Sequence, residues 1–282
     1  MPSPAPRPVV DPALLNSAGS GARWTNLGFW REARSYEEAA TELARRVGRA
    51  AGLGPKDVVL DVACGYGDSL ALWVREFGVK RAIGIEPDPA VVLATQERVT
   101  AWKLRDRITL RRGEAETLDV ARDFPDVTAV VCVDAAYHFD TRAAWLKRVA
   151  DGVAPGTRLG MADLLIPYRE RGSRSVTAVA TRAGIPFANL WSAQDVEPVL
   201  ADAGWSLERL VRCGGDVLGG FSRFAFRSAL RWSMRPRSGG WRALATGVGI
   251  AGAGRGGRMD YAILSGTRRR LPVISPTSPL PR

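Results

Sequence analysis

Two short stretches of this 282-residue chain carry residue types that can do chemistry. One is Val58-Val59-Leu60-Asp61-Val62-Ala63-Cys64-Gly65-Tyr66-Gly67-Asp68, an apolar, β-branched run that ends in an acid and breaks into a glycine turn. Gly65 and Gly67 can take backbone angles closed to other residues, so the chain can turn sharply and let a ligand approach its main chain. Asp68-Ser69 then opens a helix whose first turn presents N–H groups toward the same ligand. The other stretch is Asp134-Ala135-Ala136-Tyr137-His138-Phe139-Asp140, which holds the only histidine of the chain. His138 is the one side chain whose unperturbed pKa lies near neutrality, which suits a general base; a histidine that braces its loop is an equal alternative.

The elements that must position these residues follow from the apolar patterning. Val58–Val62 reads as a strand buried on both faces of a parallel sheet. Arg81–Glu86 is a second buried strand ending in an acid; Pro87-Asp88-Pro89 makes a stiff exit into a helix over 89–104 with Asp88 as cap. Further strands are expected at 108–112, 127–133, 159–166, near 207–211 and at 259–265, with helices starting at Thr141 and Ser192. Asp163, inside the fifth strand, is placed to face the crevice. Ser35-x-x-Glu38 has capping-box spacing, and the helix over 36–51 sets Ala40, Leu43, Ala44 and Val47 on one face. Ligands of open α/β sheets bind beyond the C-terminal strand ends, which gathers the glycine turn, Glu86 and His138 on one side.

A strand, a glycine turn and a helix also describe a nicotinamide-dinucleotide site. That fingerprint, G-x-G-x-x-G, needs a small third residue, and Leu70 stands there. Asp61-x-Ala-Cys-Gly-x-Gly67 instead resembles motif I, D-x-G-x-G-x-G, of the S-adenosylmethionine-dependent methyltransferases with a Rossmann-like fold, Ala63 replacing the first glycine. The resemblance implies S-adenosylmethionine held by Asp61, Ala63, Cys64, Gly65 and Gly67, with Glu86, followed by Pro87, accepting from both ribose hydroxyls. Gly113-Glu114-Ala115-x-x-Leu118 is similar to the adenine-contact motif of that family, and Asp134 would complete the cofactor site. Leu27-Gly28-Phe29-Trp30 resembles a segment that folds over the cofactor, which would make Phe29 and Trp30 lid residues; an aromatic cluster packing the first helix onto the sheet is the equal alternative.

The implied fold class is α/β: a Rossmann-like, doubly wound, seven-stranded, mostly parallel sheet with an antiparallel last strand and helical N-terminal and substrate-capping additions. Residues 1–22 are expected to be a disordered leader, 23–270 the methyltransferase domain and 271–282 a disordered tail. A cap insertion is expected at about 167–192, where a helical pattern breaks at Gly184-Ile185-Pro186. The D-x-x-Y-H-F loop looks most like enzymes that methylate natural products. The expected acceptor is therefore a small, largely apolar molecule, and oxygen methylation is favoured, with His138 taking the acceptor proton and Tyr137 or Asp163 orienting it. Nitrogen or carbon methylation, an RNA methyltransferase using the basic C-terminal segment, and a cofactor-binding protein without catalysis stay open.

Composition narrows the partners. The net charge is +11, and it arises after Glu208: residues 209–282 hold 14 Arg against Asp216 and Asp260, whereas residues 1–208 hold 26 basic and 27 acidic groups. Arginine outnumbers lysine 36 to 4, so its abundance alone does not point to nucleic acid, and the N/D-P-P-Y/F and Pro-Cys motifs of nucleic-acid methyltransferases are missing. Residues 217–250 begin with a basic amphipathic helix, Phe221, Phe224, Ala225 and Trp232 alternating with Arg223, Arg227 and Arg231. Its aromatic face is expected to pack on the domain, a membrane surface being the rival partner. Residues 239–257 are too glycine-rich for a stable helix. Cys64, Cys132 and Cys213 lie far apart without metal-ligand spacing, which favours reduced thiols, no metal and a cytoplasmic setting.

Overall fold

The computed structural model describes residues 12–233, 249 and 257–270. Seven strands alternate with helices in chain order: α1 (Pro12–Leu15), α2 (Tyr36–Ala50), β1 (Val58–Val62), α3 (Asp68–Arg75), β2 (Arg81–Glu86), α4 (Pro89–Ala101), β3 (Ile108–Arg112), α5 (Val120–Asp123) and β4 (Ala129–Val133). There follow α6 (Arg142–Gly152), β5 (Arg158–Leu165), α7 (Arg174–Ala183), α8 (Ala193–Asp202), β6 (Trp205–Arg212), α9 (Gly214–Ser233) and β7 (Asp260–Arg268). The sheet order is β3-β2-β1-β4-β5-β7-β6. The first five strands in that order are parallel, and β7 runs antiparallel between β5 and β6. The expected antiparallel last strand therefore lies one place in from the edge.

β1 is buried along its whole length, as its unbroken apolar run requires. Its residues alternate between the two faces. Val59 joins a core layer with Tyr36, Leu43 and Val47 of α2, Trp73 of α3 and Phe221 of α9. Val58, Leu60 and Val62 join the opposite layer with Leu146 and Val149 of α6 and Leu200 of α8. Strand order reverses between β1 and β4, which pair directly through Val59↔Ala129, Leu60↔Val130 and Asp61↔Val131. The loops leaving these two strands must diverge to opposite faces, and the crevice that opens between them is where such sheets bind ligands.

One expectation changes at the N-terminal end. Residues 12–16 are packed rather than part of a free leader: Leu14 and Leu15 are buried, and the Asn16 amide donates to the Trp24 carbonyl at 2.9 Å while its oxygen accepts from the Trp24 N–H at 3.2 Å. Residues 1–11, 271–282 and all but one of 239–256 lie outside the described residues, and with them the glycine-rich stretch and the two flanking tails. α9 packs by its apolar face, with Phe221 buried and the Phe224 ring 5.1 Å from Trp30 and 5.3 Å from Tyr36. Arg223 and Arg227 face outward beside Phe226, 47% exposed. Among the described residues no helix is long and apolar enough to cross a membrane.

Candidate active site

The glycine turn forms because β1 ends in three residues with unusual backbone angles. Ala63, Gly65 and Gly67 have φ of 63°, 54° and 80°. For alanine this left-handed geometry is strained, whereas for the two glycines it is not. The Cys64 N–H donates to the Ile85 carbonyl at 3.1 Å, and the Gly67 N–H to the Cys64 carbonyl at 3.1 Å. The first bond ties the turn to β2 and the second closes the turn on itself. A Cβ built on Gly65 would meet nothing closer than Thr25 Oγ1 at 3.8 Å, so the backbone there stays open to a ligand. A Cβ on Gly67 would instead strike Thr95 Cγ2 at 2.6 Å, so that glycine is required for packing.

Glu86 closes the turn from β2. Its carboxylate accepts from the Gly65 N–H at 3.2 Å and from the Asp88 N–H at 3.1 Å. These two bonds, one to each oxygen, fix the orientation of the carboxylate. Asp61 lies in the floor of the crevice, accepting from the Trp73 indole N–H at 2.8 Å. Burial pushes its pKa up to about 6 against the opposing bonds from Ser69 and Trp73. The Cys64 sulfur points away from the crevice toward Gly84, so only its backbone is available to a ligand. Glu114 is exposed and Ala115 buried at the start of the turn after β3, and none of Glu86, Pro87, Glu114, Ala115 and His138 is among the residues lining this crevice.

Residues 23–26 cover the turn. Arg23, Trp24, Thr25 and Asn26 form one wall, with Asp61, Ala63 to Tyr66, Asp68, Ser69 and Val133 forming the rest. Two latches hold this strap. Arg98 of α4 bonds both oxygens of Asp68 at 2.7 and 2.8 Å, the Gly21 carbonyl at 2.9 Å and the Tyr66 carbonyl, so one guanidinium joins strap, turn and helix. At the other end the Leu27 N–H donates to Asp134 at 2.6 Å. The tyrosine hydroxyls of Tyr137 and Tyr261 donate to the second Asp134 oxygen at 3.0 and 2.6 Å. Burial pushes the Asp134 carboxyl up to about 7 despite these donors.

Several expected site residues therefore sit elsewhere. Phe29 is buried beneath the Arg46 guanidinium, 3.7 Å from its ring centre, and Trp30 stacks on Phe224 of α9, so both serve helix packing while residues 23–26 line the crevice. Asp134 is spent on the strap. Asp163 does not line the crevice and instead forms a fully buried ion pair with Arg142 at 2.6 Å. Tyr137 is buried with its hydroxyl on Asp134, and its ring centre is 4.4 Å from that of His138. His138 lies in the short helical turn Ala136–His138 just beyond β4, half-buried, its backbone N–H donating to the Ala135 carbonyl at 2.9 Å. Arg98, Tyr261, Arg142 and Asn189 were not singled out by the sequence, since each acts on residues about 20 to 130 positions away with no local motif.

Among the described residues no group of three or more His, Cys, Asp or Glu side chains is arranged to hold a metal ion. The three cysteines are buried and unbridged.

Residues 59–156 match the family described as a methyltransferase domain. The chain is 29% identical over 199 residues to erythromycin 3''-O-methyltransferase of Saccharopolyspora erythraea, a match that covers 67% of this chain and 64% of that protein. It thus spans less than two thirds of the length of that curated relative. The solved structure of a geranyl diphosphate C-methyltransferase from Streptomyces coelicolor, in complex with Mg2+, geranyl diphosphate and S-adenosyl-L-homocysteine, superposes with a TM-score of 0.69 at 17% identity, covering 92% of this chain and 90% of that one. The cyclopropane synthase MmaA2 from Mycobacterium tuberculosis superposes with a TM-score of 0.70 at 18% identity, covering 87% and 90%. At these identities the two structural likenesses establish the fold alone.

Proposed function

We propose that this chain, which carries a methyltransferase domain of the S-adenosylmethionine-dependent, Rossmann-like class, methylates a hydroxyl of a small, largely apolar molecule. The observation that carries the reading is the placement of the sole histidine. His138 follows β4, the direct neighbour of β1, and ligands of such sheets bind where strand order reverses, which supports an acceptor-side role for it. The residues present fit the cofactor: an open backbone at Gly65, an oriented carboxylate at Glu86 and a strap over the turn. S-adenosylmethionine supplies an electrophilic methyl group on a positively charged sulfur.

Gly65 and its neighbours would hold the amino-acid end of the cofactor against main chain, and Glu86 would accept from its ribose hydroxyls. The strap over 23–26 excludes water, which strengthens the interactions inside and keeps the acceptor in line with the breaking bond. A neutral hydroxyl is a poor nucleophile, and a base within hydrogen-bond reach contributes typically about 10²–10⁴-fold. His138 takes that proton on its imidazole, while Tyr137 packs beside the ring and Asp163 supports the loop from behind. The 3''-O-methyltransferase relative supports oxygen as the acceptor atom. Exposed aromatic rings of Tyr168 and Phe187 on the cap segment support an apolar acceptor.

The test is His138→Ala with S-adenosylmethionine and candidate hydroxyl acceptors. Turnover should fall at least about 100-fold with cofactor affinity unchanged, because the residue serves the acceptor side. Near-normal turnover would leave His138 a bracing residue and move the reading to nitrogen or carbon methylation.

A further inference from the structure

His138 sits in a short turn between a strand and a helix, yet the peptide groups on both sides of it are tethered. Asn189 does most of this. Its side-chain N–H₂ donates to the Tyr137 carbonyl at 3.2 Å and to the Phe139 carbonyl at 2.5 Å, and its oxygen accepts from the Arg142 backbone N–H at 2.8 Å. The amide orientation is settled by its partners, since two carbonyls require donors and one N–H requires an acceptor. Asn189 is buried, and it belongs to the cap: it ends the helical turn Phe187–Asn189, about 50 residues downstream of the loop it holds.

Two charged residues stand behind it. The Arg142 guanidinium bonds the Asn189 carbonyl, the Leu164 carbonyl at 3.1 Å and Asp163 at 2.6 Å, and lies 4.0 Å over the Trp191 ring. The Asp163 carboxylate in turn accepts from the backbone N–H groups of Leu164 and Tyr137. Cap, loop and β5 are thereby joined through one buried polar network, in which Asn189 holds the carbonyls of Tyr137 and Phe139, the neighbours of His138. Buried networks of this kind restrict geometry through the bonds they make, and here only the Arg142 Nε lacks a partner among the network's side-chain donors.

We propose that Asn189 is the positioning residue for His138, so that the cap and the base move and set as one unit. Closing the cap on an acceptor then fixes the imidazole relative to it. The proposal rests on the reading of His138 as the base. Arg142 and Asp163 are poor probes, because removing either would strand a buried charge. Asn189 can be changed without doing so.

Because the chain has one histidine, its imidazole gives one identifiable NMR signal in the full-length protein with S-adenosyl-L-homocysteine bound. In Asn189→Ala that signal should split or broaden, and the amide protons of His138 and Phe139 should exchange at least about tenfold faster, with affinity for S-adenosyl-L-homocysteine unchanged. Asn189→Ser, which keeps a polar atom but cannot span both carbonyls, should do the same and serves if the alanine variant does not fold. In turnover, Asn189→Ala should lower kcat at least about tenfold at constant KM for S-adenosylmethionine, and have no further effect in a His138→Ala background. An unchanged His138 signal in both variants, or an equal loss of kcat in both backgrounds, overturns the positioning role. Wild-type turnover by His138→Ala alone overturns instead the base on which the catalytic sense of the proposal rests.

Discussion

Gly220→Ala separates two opposing effects on the same helix. In an exposed helix interior, glycine to alanine stabilises by roughly 1 kcal/mol through backbone entropy. At Gly220 a Cβ would lie 2.2, 2.3 and 2.4 Å from Trp30 Cβ, Cγ and Cδ1. Optimal carbon contacts lie at about 3.5–4.0 Å, so the ring or the helix must move by more than 1 Å, and overpacking of this kind costs typically about 1–3 kcal/mol. Trp30 has little room to yield, since its indole N–H donates to the Leu27 carbonyl at 2.7 Å, its ring stacks on Phe224, and its backbone N–H donates to the Asp216 carbonyl at 3.0 Å. Taking the upper end of that cost against the gain leaves a net loss of about 2 kcal/mol, or about 4–8 °C in Tm. Gly219→Ala is the internal control, because its Cβ would meet only Arg223 Nη1 at 3.5 Å, and it should stabilise. Since Leu27 carries the Asp134 latch, Gly220→Ala should also weaken S-adenosyl-L-homocysteine binding measured by calorimetry. Stabilisation by Gly220→Ala, or equal shifts from the two variants, would refute the docking of α9 on Trp30.

Three further outcomes are expected. Ala63→Gly should raise stability by about 1 kcal/mol in denaturant unfolding, because it removes the cost of a left-handed alanine; a loss of stability would show that the methyl group packs favourably. Glu86→Ala should weaken binding of S-adenosylmethionine by about 1–3 kcal/mol in calorimetry, and unchanged binding would remove the carboxylate from the site. Asp61 and Asp134 have folded pKa values raised to about 6 and about 7, so the folded state holds protons that the unfolded state releases near pH 4. Their stabilising contribution is full below pH 4 and is lost as pH rises through 6 and 7, by at most about 1.4 kcal/mol per pH unit for each group. Denaturant unfolding between pH 5 and 8 should therefore show declining stability; a rise over that window would mean the three donors around Asp134 outweigh its burial.

The sheet was legible because its central strands are unbroken apolar runs, and Val58–Val62 and Arg81–Glu86 have the boundaries their sequences suggest. β6 was the least legible. It is a half-exposed edge strand with a register shift between Leu207 and Arg209, and it extends beyond the expected 207–211 to Trp205–Arg212. The turn after β1 and the acid of Glu86 were legible from glycine and acid placement within a strand-turn-helix unit. The strap was legible only in kind. Aromatic side chains at 29 and 30 suggested the lid, yet bulky rings are drawn to apolar helix faces, and it is the more polar Arg23 to Asn26 that lies against the crevice. Asp163 had the register of a crevice residue, and only the arrival of Arg142 from another element explains why an acid is tolerated there. Asn189 and Arg98 left no sequence signal, because each satisfies backbone carbonyls whose need for a partner is created by the tertiary fold.

Transfer of a labelled methyl group tests the central claim most directly. The full-length chain is incubated with S-adenosylmethionine tritiated on the methyl group and a panel of small apolar alcohols, including macrolide sugars, and the products are separated and identified. The account predicts label in a methyl ether of one acceptor class, equimolar S-adenosyl-L-homocysteine, and formation of both at least about 100-fold slower in His138→Ala. Tight cofactor binding without S-adenosyl-L-homocysteine formation, or label found on nitrogen or carbon at undiminished rate in His138→Ala, would contradict it.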